Sequence, residues 1–168
     1  RDWHDELRDA LVGRHGEERG LKLAADYARA LPVGYIEEVT PRRAAVDVEL
    51  AASLAGADDM RLDFYPSTSR PDTLHFKIFR SGTDIVLSEI MPLLENLGLK
   101  VLAEQLYEIE LAEHVVYIQD LTVQPAVHCE FSIDQVREAF QEAFAHIWRG
   151  TAENDGFNKL ILGARLDW

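Results

Sequence analysis

Between Asp59 and Met60 the apolar pattern of the chain changes period, and no other feature limits the fold as much. Before that point apolar residues recur every three or four positions, the rhythm of a helix face. Trp3, Leu7 and Leu11 fall four apart on one stripe. Leu21, Ala24, Ala28 and Leu31 make a second stripe along "GEERGLKLAADYARAL", which Pro32 is expected to end. "TPRRAAVDVELAASLAG" then opens with Thr40 as N-cap and Pro41 at the first helical position, and Gly56 closes it. Residues 1–56 therefore read as helical.

After the change the pattern alternates. "MRLDFYP" (60–66) sets Leu62 and Phe64 on one face and Arg61 and Asp63 on the other. "STSRPD" is a turn. "TLHFKIFR" (73–80) alternates again, with Leu74, Phe76 and Ile78 inward and His75 and Lys77 outward. After "SGTD" a short helix is expected at about residues 89–97, with Ser88 as N-cap and Pro92 only one turn in, where it costs little. Its buried stripe is Ile90, Leu93, Leu94 and Leu97, and Gly98 stands where a left-handed cap is wanted. "LKVLAEQLYEI" (99–109) and "HVVYIQDLTV" (114–123) read as strands. Both carry apolar residues on two faces, so cover is expected on both sides of the sheet, with a partner as one candidate for it. The helix at 132–150 opens on a Ser132/Gln135 capping pattern and buries Ile133, Val136, Phe140, Phe144 and Ile147. "NDGFNKLILGARLDW" reads as the start of another helix.

The order from 60 to 150 is thus β-β-α-β-β-α. Its 73–150 portion is the core of a ferredoxin-like sheet, which ordinarily ends with a fourth strand at the edge beside the first. Nothing strand-like follows the last helix. The strand at 60–66 takes that edge place by pairing with 73–80 as a hairpin. The fold class is α+β: a four-stranded antiparallel sheet with two helices on one face, preceded by a helical segment. The divisions are 1–57, 58–153 and 154–168.

Composition narrows the function. The 168 residues are 47% hydrophobic, enough for a core, and carry a formal charge of −13. That charge argues against nucleic-acid and anionic-membrane partners, which reward lysine and arginine clusters. Cys129 is the only cysteine, so no internal disulfide forms, and a reducing, cytoplasmic setting fits. No apolar run nears the ~20 residues of a membrane span. The chain starts at Arg1 and ends at Trp168 inside an apolar pattern, which reads as a piece of a longer protein.

The catalytic motifs are missing. No glycines make the G-x-G-x-x-G spacing that lets a backbone approach a dinucleotide. There is no phosphate loop and no nucleophile elbow. His128, Cys129 and Glu130 are adjacent, so on extended backbone they point to alternating sides and converge poorly on an ion. The stretch reads as a loop, Cys129 as a small apolar filler and His146 as a helix-surface or interface residue. Neither a catalytic nor a metal site is expected. Glu37, Glu38, Asp58 and Asp59 read as solvated surface, and Arg42 and Arg43 as exposed arginines. In "RSGTD" (80–84), Gly82 either makes a tight turn or lets backbone amides approach a carboxylate.

"MPLLENLGLKVLAEQLYEI", "VYIQDL" and "FQEAFAHIWRGTAENDGFNKLILGARLDW" resemble the large NAD-specific glutamate dehydrogenases of bacteria, as does "GEERGLKLAADYARALPVGYIEEVTPRRAAVDV". The similarity spans essentially the whole chain. It implies an ACT-type regulatory region upstream of a catalytic domain, and an ACT domain is itself a ferredoxin-like sheet. It implies a full enzyme that oxidises L-glutamate to 2-oxoglutarate and ammonia with NAD, while this stretch holds no cofactor. The family's catalytic lysines, aspartate and dinucleotide glycines have no counterpart here. The implied partners are other domains of the same enzyme, further copies of it and an amino-acid effector. The implied ligand positions are Ser81, Gly82, Thr83 and Asp84 in the strand-to-helix loop, with Asn96 and Gly98 at the helix-to-strand turn. Three roles follow in descending order: a regulatory and assembly module, an amino-acid sensor, and a free-standing enzyme.

Overall fold

The structure is a computed structural model that describes residues 2–125 and, beyond them, Asp134, Glu138 and Glu142. Its elements run α1 (Trp3–His15), α2 (Glu17–Tyr27), α3 (Val33–Glu38), α4 (Pro41–Ala52), β1 (Met60–Pro66), β2 (Leu74–Ser81), α5 (Leu87–Asn96), β3 (Leu99–Glu110) and β4 (Val115–Pro125). Asp134, Glu138 and Glu142 are helical and exposed, four apart on one solvent face. The buried stripe and cap expected for that helix, the 128–130 run, His146 and the final segment lie outside the described residues.

The sheet order is β1-β2-β4-β3, in antiparallel sense. The strand that comes first in sequence therefore lies at the edge beside β2, as the alternation predicts. The result is the ACT-like α+β arrangement with its edge strand supplied from the N-terminal side. A turn with Ser67 N–H donating to Thr73 O at 3.0 Å closes the β1–β2 hairpin. Leu111 N–H donating to His114 O at 2.9 Å closes β3–β4. Gly98 has φ +85, the left-handed cap that its position between α5 and β3 requires.

The chain packs as two compact units, and all four strands contribute to both. The first unit holds residues 1–61, 79–84 and 106–118. Here α1–α4 share one core with Phe79 of β2, Tyr107 and Ile109 of β3, and Val116 and Ile118 of β4. Tyr35 of α3 is fully buried and meets Tyr107 edge-on at 5.1 Å. Its hydroxyl donates to the buried Asp47 carboxylate of α4 at 2.6 Å, and the Trp3 indole donates to Val39 O at 2.9 Å. Burial, with Asp26 alongside, pushes the Tyr27 phenol up to about 12. Among the described residues, the second unit holds 62–78, 85–105 and β4 from Gln119 on. In it α5 buries Ile90, Leu93 and Leu94, with Leu97 buried at its end, and Phe64 meets Phe76 edge-on at 5.7 Å.

Several sequence expectations give way to the packing. The buried face of α2 is Gly20, Leu23 and Tyr27, and Leu21 is 42% exposed. The cause is Gly20: a Cβ there would lie 2.5 Å from Cα of Val12, so α2 must turn its glycine toward α1. Pro32 ends α2 less than it starts α3, serving as its N-cap. Ser88 is an exposed residue inside α5, and Val86 is the N-cap without a side-chain bond. Lys77, expected to point to solvent, is 1% exposed, and Phe79 on the same face is fully buried. In the first unit, the second side of the sheet is covered by the chain's own helices. Thr40 caps α4 as expected, its Oγ1 accepting from Arg43 N–H at 3.2 Å.

Asp59 is more than solvated surface. Its carboxylate accepts from Ala55 N–H at 2.8 Å and from Arg61 at 2.7 Å, and Arg61 also donates to Ser53 O at 2.8 Å. These bonds tie down the turn between α4 and β1.

Two predictions follow. Replacing Gly20 by Ala forces backbone apart and costs about 1–3 kcal/mol. Gly13→Ala, in open space on α1, gains up to about 1 kcal/mol. Chemical denaturation of the two variants, moving in opposite directions, checks the close approach. The second concerns acid. The Ala55 amide, then Arg61, depress Asp59 from 3.8 to about 2. Its contribution to stability is therefore complete above pH 3.8 and is lost as the pH falls toward about 2. Thermal unfolding across that window should show a shallower acid decline for Asp59→Asn than for the parent chain.

Candidate functional site

The loop after β2 is set by its two ends. Ser81 is buried at the close of the strand. Gly82 has φ +88, which a side chain would strain, although nothing lies within 4 Å of where its Cβ would be. Its N–H is already used, donating to Val115 O at 2.8 Å. Thr83 is exposed and its hydroxyl donates to Asp84 O at 3.2 Å, while Asp84 is half-buried. The Thr83 and Asp84 amides take no hydrogen-bond partner among the described residues. In the second unit Ile85 is buried, and both its N–H and its C=O are held by the Gln119 side chain.

Asn96 is exposed in the last turn of α5. Gly98 is half-buried and its N–H donates to Glu95 O at 3.0 Å. Ser81 to Asp84 belong to the first unit, Asn96 and Gly98 to the second. Of the six expected positions, the first four are neighbours in one loop, where Gly82 has its amide engaged by the sheet.

A second polar group lies within the sheet of the second unit, and sequence reasoning missed it. The His75 ring stacks on Tyr65 with centroids 4.9 Å apart. His75 Nδ1 is 2.8 Å from Asp120 Oδ1. A carboxylate accepts, so Nδ1 is the donor of this pair. Lys77 Nζ sits 5.3 Å from the centroid of the Tyr65 ring, a cation–π contact worth about 0.5–2 kcal/mol. Four residues from three strands are thus linked ring to ring, ring to carboxylate and cation to ring. The one signal in the sequence was Phe79, an apolar residue continuing the face that His75 and Lys77 share. Asp120 gave none, because its role depends on which strand lies beside β2.

In this cluster the ring stack, the carboxylate contact and the cation–π contact hold one another in place. Among the described residues no three His, Cys, Asp or Glu side chains gather as a metal site, and no helix is long and apolar enough to cross a membrane. Removing the His75 partner should expose the worth of the cluster. Asp120→Ala should cost about 1–3 kcal/mol by leaving Nδ1–H unsatisfied, and Asp120→Asn, which keeps an acceptor, should cost less. Urea unfolding of both variants is the measurement.

Comparison with known proteins places the chain. The family described as glutamate dehydrogenase, helical motif 2, matches residues 10–54, and that described as glutamate dehydrogenase, ACT3 domain, matches residues 59–136. The chain is 34% identical over 169 residues to an NAD-specific glutamate dehydrogenase of Halomonas elongata and 37% identical over 170 residues to one of Pseudomonas aeruginosa. It is 27% identical over 176 residues to one of Mycobacterium tuberculosis. Each match takes in 100% of this chain and 10% of the relative, so the chain spans about a tenth of their length. The two motif matches fall on α1–α4 and on the sheet respectively, in the order and at the boundary where the apolar period changes. The chain belongs to the glutamate dehydrogenase family, of which it carries helical motif 2 and the ACT3 domain.

Proposed function

We propose that this chain is a non-catalytic regulatory and assembly module of a cytoplasmic, NAD-dependent glutamate dehydrogenase. The whole enzyme oxidises L-glutamate to 2-oxoglutarate and ammonia. The observation that carries the reading is the end-to-end match to NAD-specific glutamate dehydrogenases through two motifs, neither named for catalysis. The glycine spacing of the chain offers no dinucleotide cradle, so NAD is held elsewhere on the enzyme. The helical segment 1–57, the ACT-like domain 58–153 and the following segment 154–168 dock against other domains of the enzyme and against further copies of it.

A second reading, an amino-acid effector site, is favoured by one observation. The loop from Ser81 to Asp84 presents exposed backbone at Gly82 and Thr83, with the Thr83 and Asp84 amides available to a carboxylate. Asn96 and Gly98, which belong to the second unit, are the other positions proposed to meet an effector.

Both readings are open to test. The purified chain should produce no NADH from L-glutamate and NAD, and its deletion from the whole enzyme should alter assembly or response to effectors. Turnover by the chain alone, or a deletion that changes neither, overturns the first reading. For the second, thermal shift and calorimetry with the proteinogenic L-amino acids should find at least one that stabilises the chain. At a ligand concentration ~100 times the dissociation constant the gain is ~2.7 kcal/mol. No shift with any of them removes the effector site.

A further inference from the structure

Gln119 lies on β4, 1% exposed, and its amide is fully committed. Oε1 accepts from the N–H of Ile85 at 2.8 Å. Nε2 donates to the C=O of Ile85 at 2.6 Å and to Glu104 Oε2 at 3.3 Å. The orientation of the amide is forced by its surroundings. An N–H only donates, so it must face Oε1; a carbonyl and a carboxylate only accept, so they must face Nε2.

The side chain therefore does what a neighbouring strand does. It pairs with one residue through both its N–H and its C=O, as opposed residues of a ladder do. Yet Ile85 belongs to no strand: β2 ends at Ser81 and α5 begins at Leu87. Past the Gly82 amide, which β4 holds through Val115 O, this stretch without regular structure is fixed to the sheet by the Gln119 side chain. Loops ordinarily have no such tie and move accordingly.

We infer that Gln119 is the positioning residue of the loop between β2 and α5, and that Glu104 on β3 locks the orientation of its amide. This deepens the effector reading, on which its ligand half rests. The loop is set in one conformation when the chain folds, so its ordering is not charged again when a ligand arrives. Gln119 touches no ligand in this scheme; it acts through Ile85. Glu104 is half-buried, so the tie can be altered from an edge strand without opening the core.

The test uses the 168-residue chain with Gln119→Leu and, because that variant strips a buried residue of its partners, also Glu104→Ala. Amide hydrogen exchange is read at Ile85, the loop amide that Gln119 holds, and, as a control, at Ile118 and Leu121 on β4. Loop exchange should quicken about tenfold in Gln119→Leu and about threefold in Glu104→Ala, with the control amides unchanged in Glu104→Ala. Any L-amino acid that binds the parent chain should bind Gln119→Leu more weakly. Unchanged loop exchange in both variants overturns the inference, as does equal affinity for a ligand bound by the parent. If no amino acid binds the parent, the effector reading fails by itself, and loop exchange alone decides the role of Gln119.

Discussion

The edge-on contact of Tyr35 with Tyr107 marks the constraint on which the rest of this molecule depends. β3 and β4 run 12 and 11 residues, against 7 and 8 for β1 and β2. The longer hairpin carries Tyr107, Ile109, Val116 and Ile118, large side chains that need cover. Full burial of such a side chain is worth roughly 1.5–3 kcal/mol. The helices supply that cover, and the same contact gives them a core they would not have alone, since short helices are marginal without a packed face. Tyr35 is fixed from two directions, by its hydroxyl on Asp47 and by the Trp3 ring at 6.4 Å. A buried carboxylate at Asp47 is tolerable because a phenol donates to it.

Much of this was legible from period alone. β1 spans the residues expected of it, β2, β3 and β4 lie within a few residues of theirs, and the edge position of β1 follows from having only one strand free to take it. α5 keeps its stripe of Ile90, Leu93, Leu94 and Leu97, because a helix that packs by large aliphatic residues has one way to face. α2 was less readable: Ala24 and Ala28 weigh little in packing, and the decisive residue was Gly20, whose role is to be absent. α3 escaped notice because six residues hold less than two turns of pattern.

The polar residues were least legible, and for one shared reason. Gln119, Asp120, His75 and Lys77 sit on strands where alternation says which side a residue faces but not what stands opposite. Gln119 is on β4 and the backbone it holds is 34 positions away. Asp120 meets His75 across 45 positions. A carboxylate, an amide or a lysine in a strand reads as solvent-facing until the neighbouring strand is known. The expected ligand loop shows the same limit. Its glycine was found, yet Val115 had already claimed the glycine's amide.

The two family motifs meet between residues 54 and 59, but the core does not divide there. Phe79 and residues 106–118 fall within the ACT3 match and pack in the same unit as helical motif 2. The junction is also bound, through Asp59, Arg61 and the backbone of Ser53 and Ala55. A motif boundary of this kind marks where the sequence signal changes, not where the protein can bend. Any change at the distal end of the β3–β4 hairpin acts on the helices directly, because they share its side chains. Whatever displaces that end of the hairpin displaces α1–α4 with it.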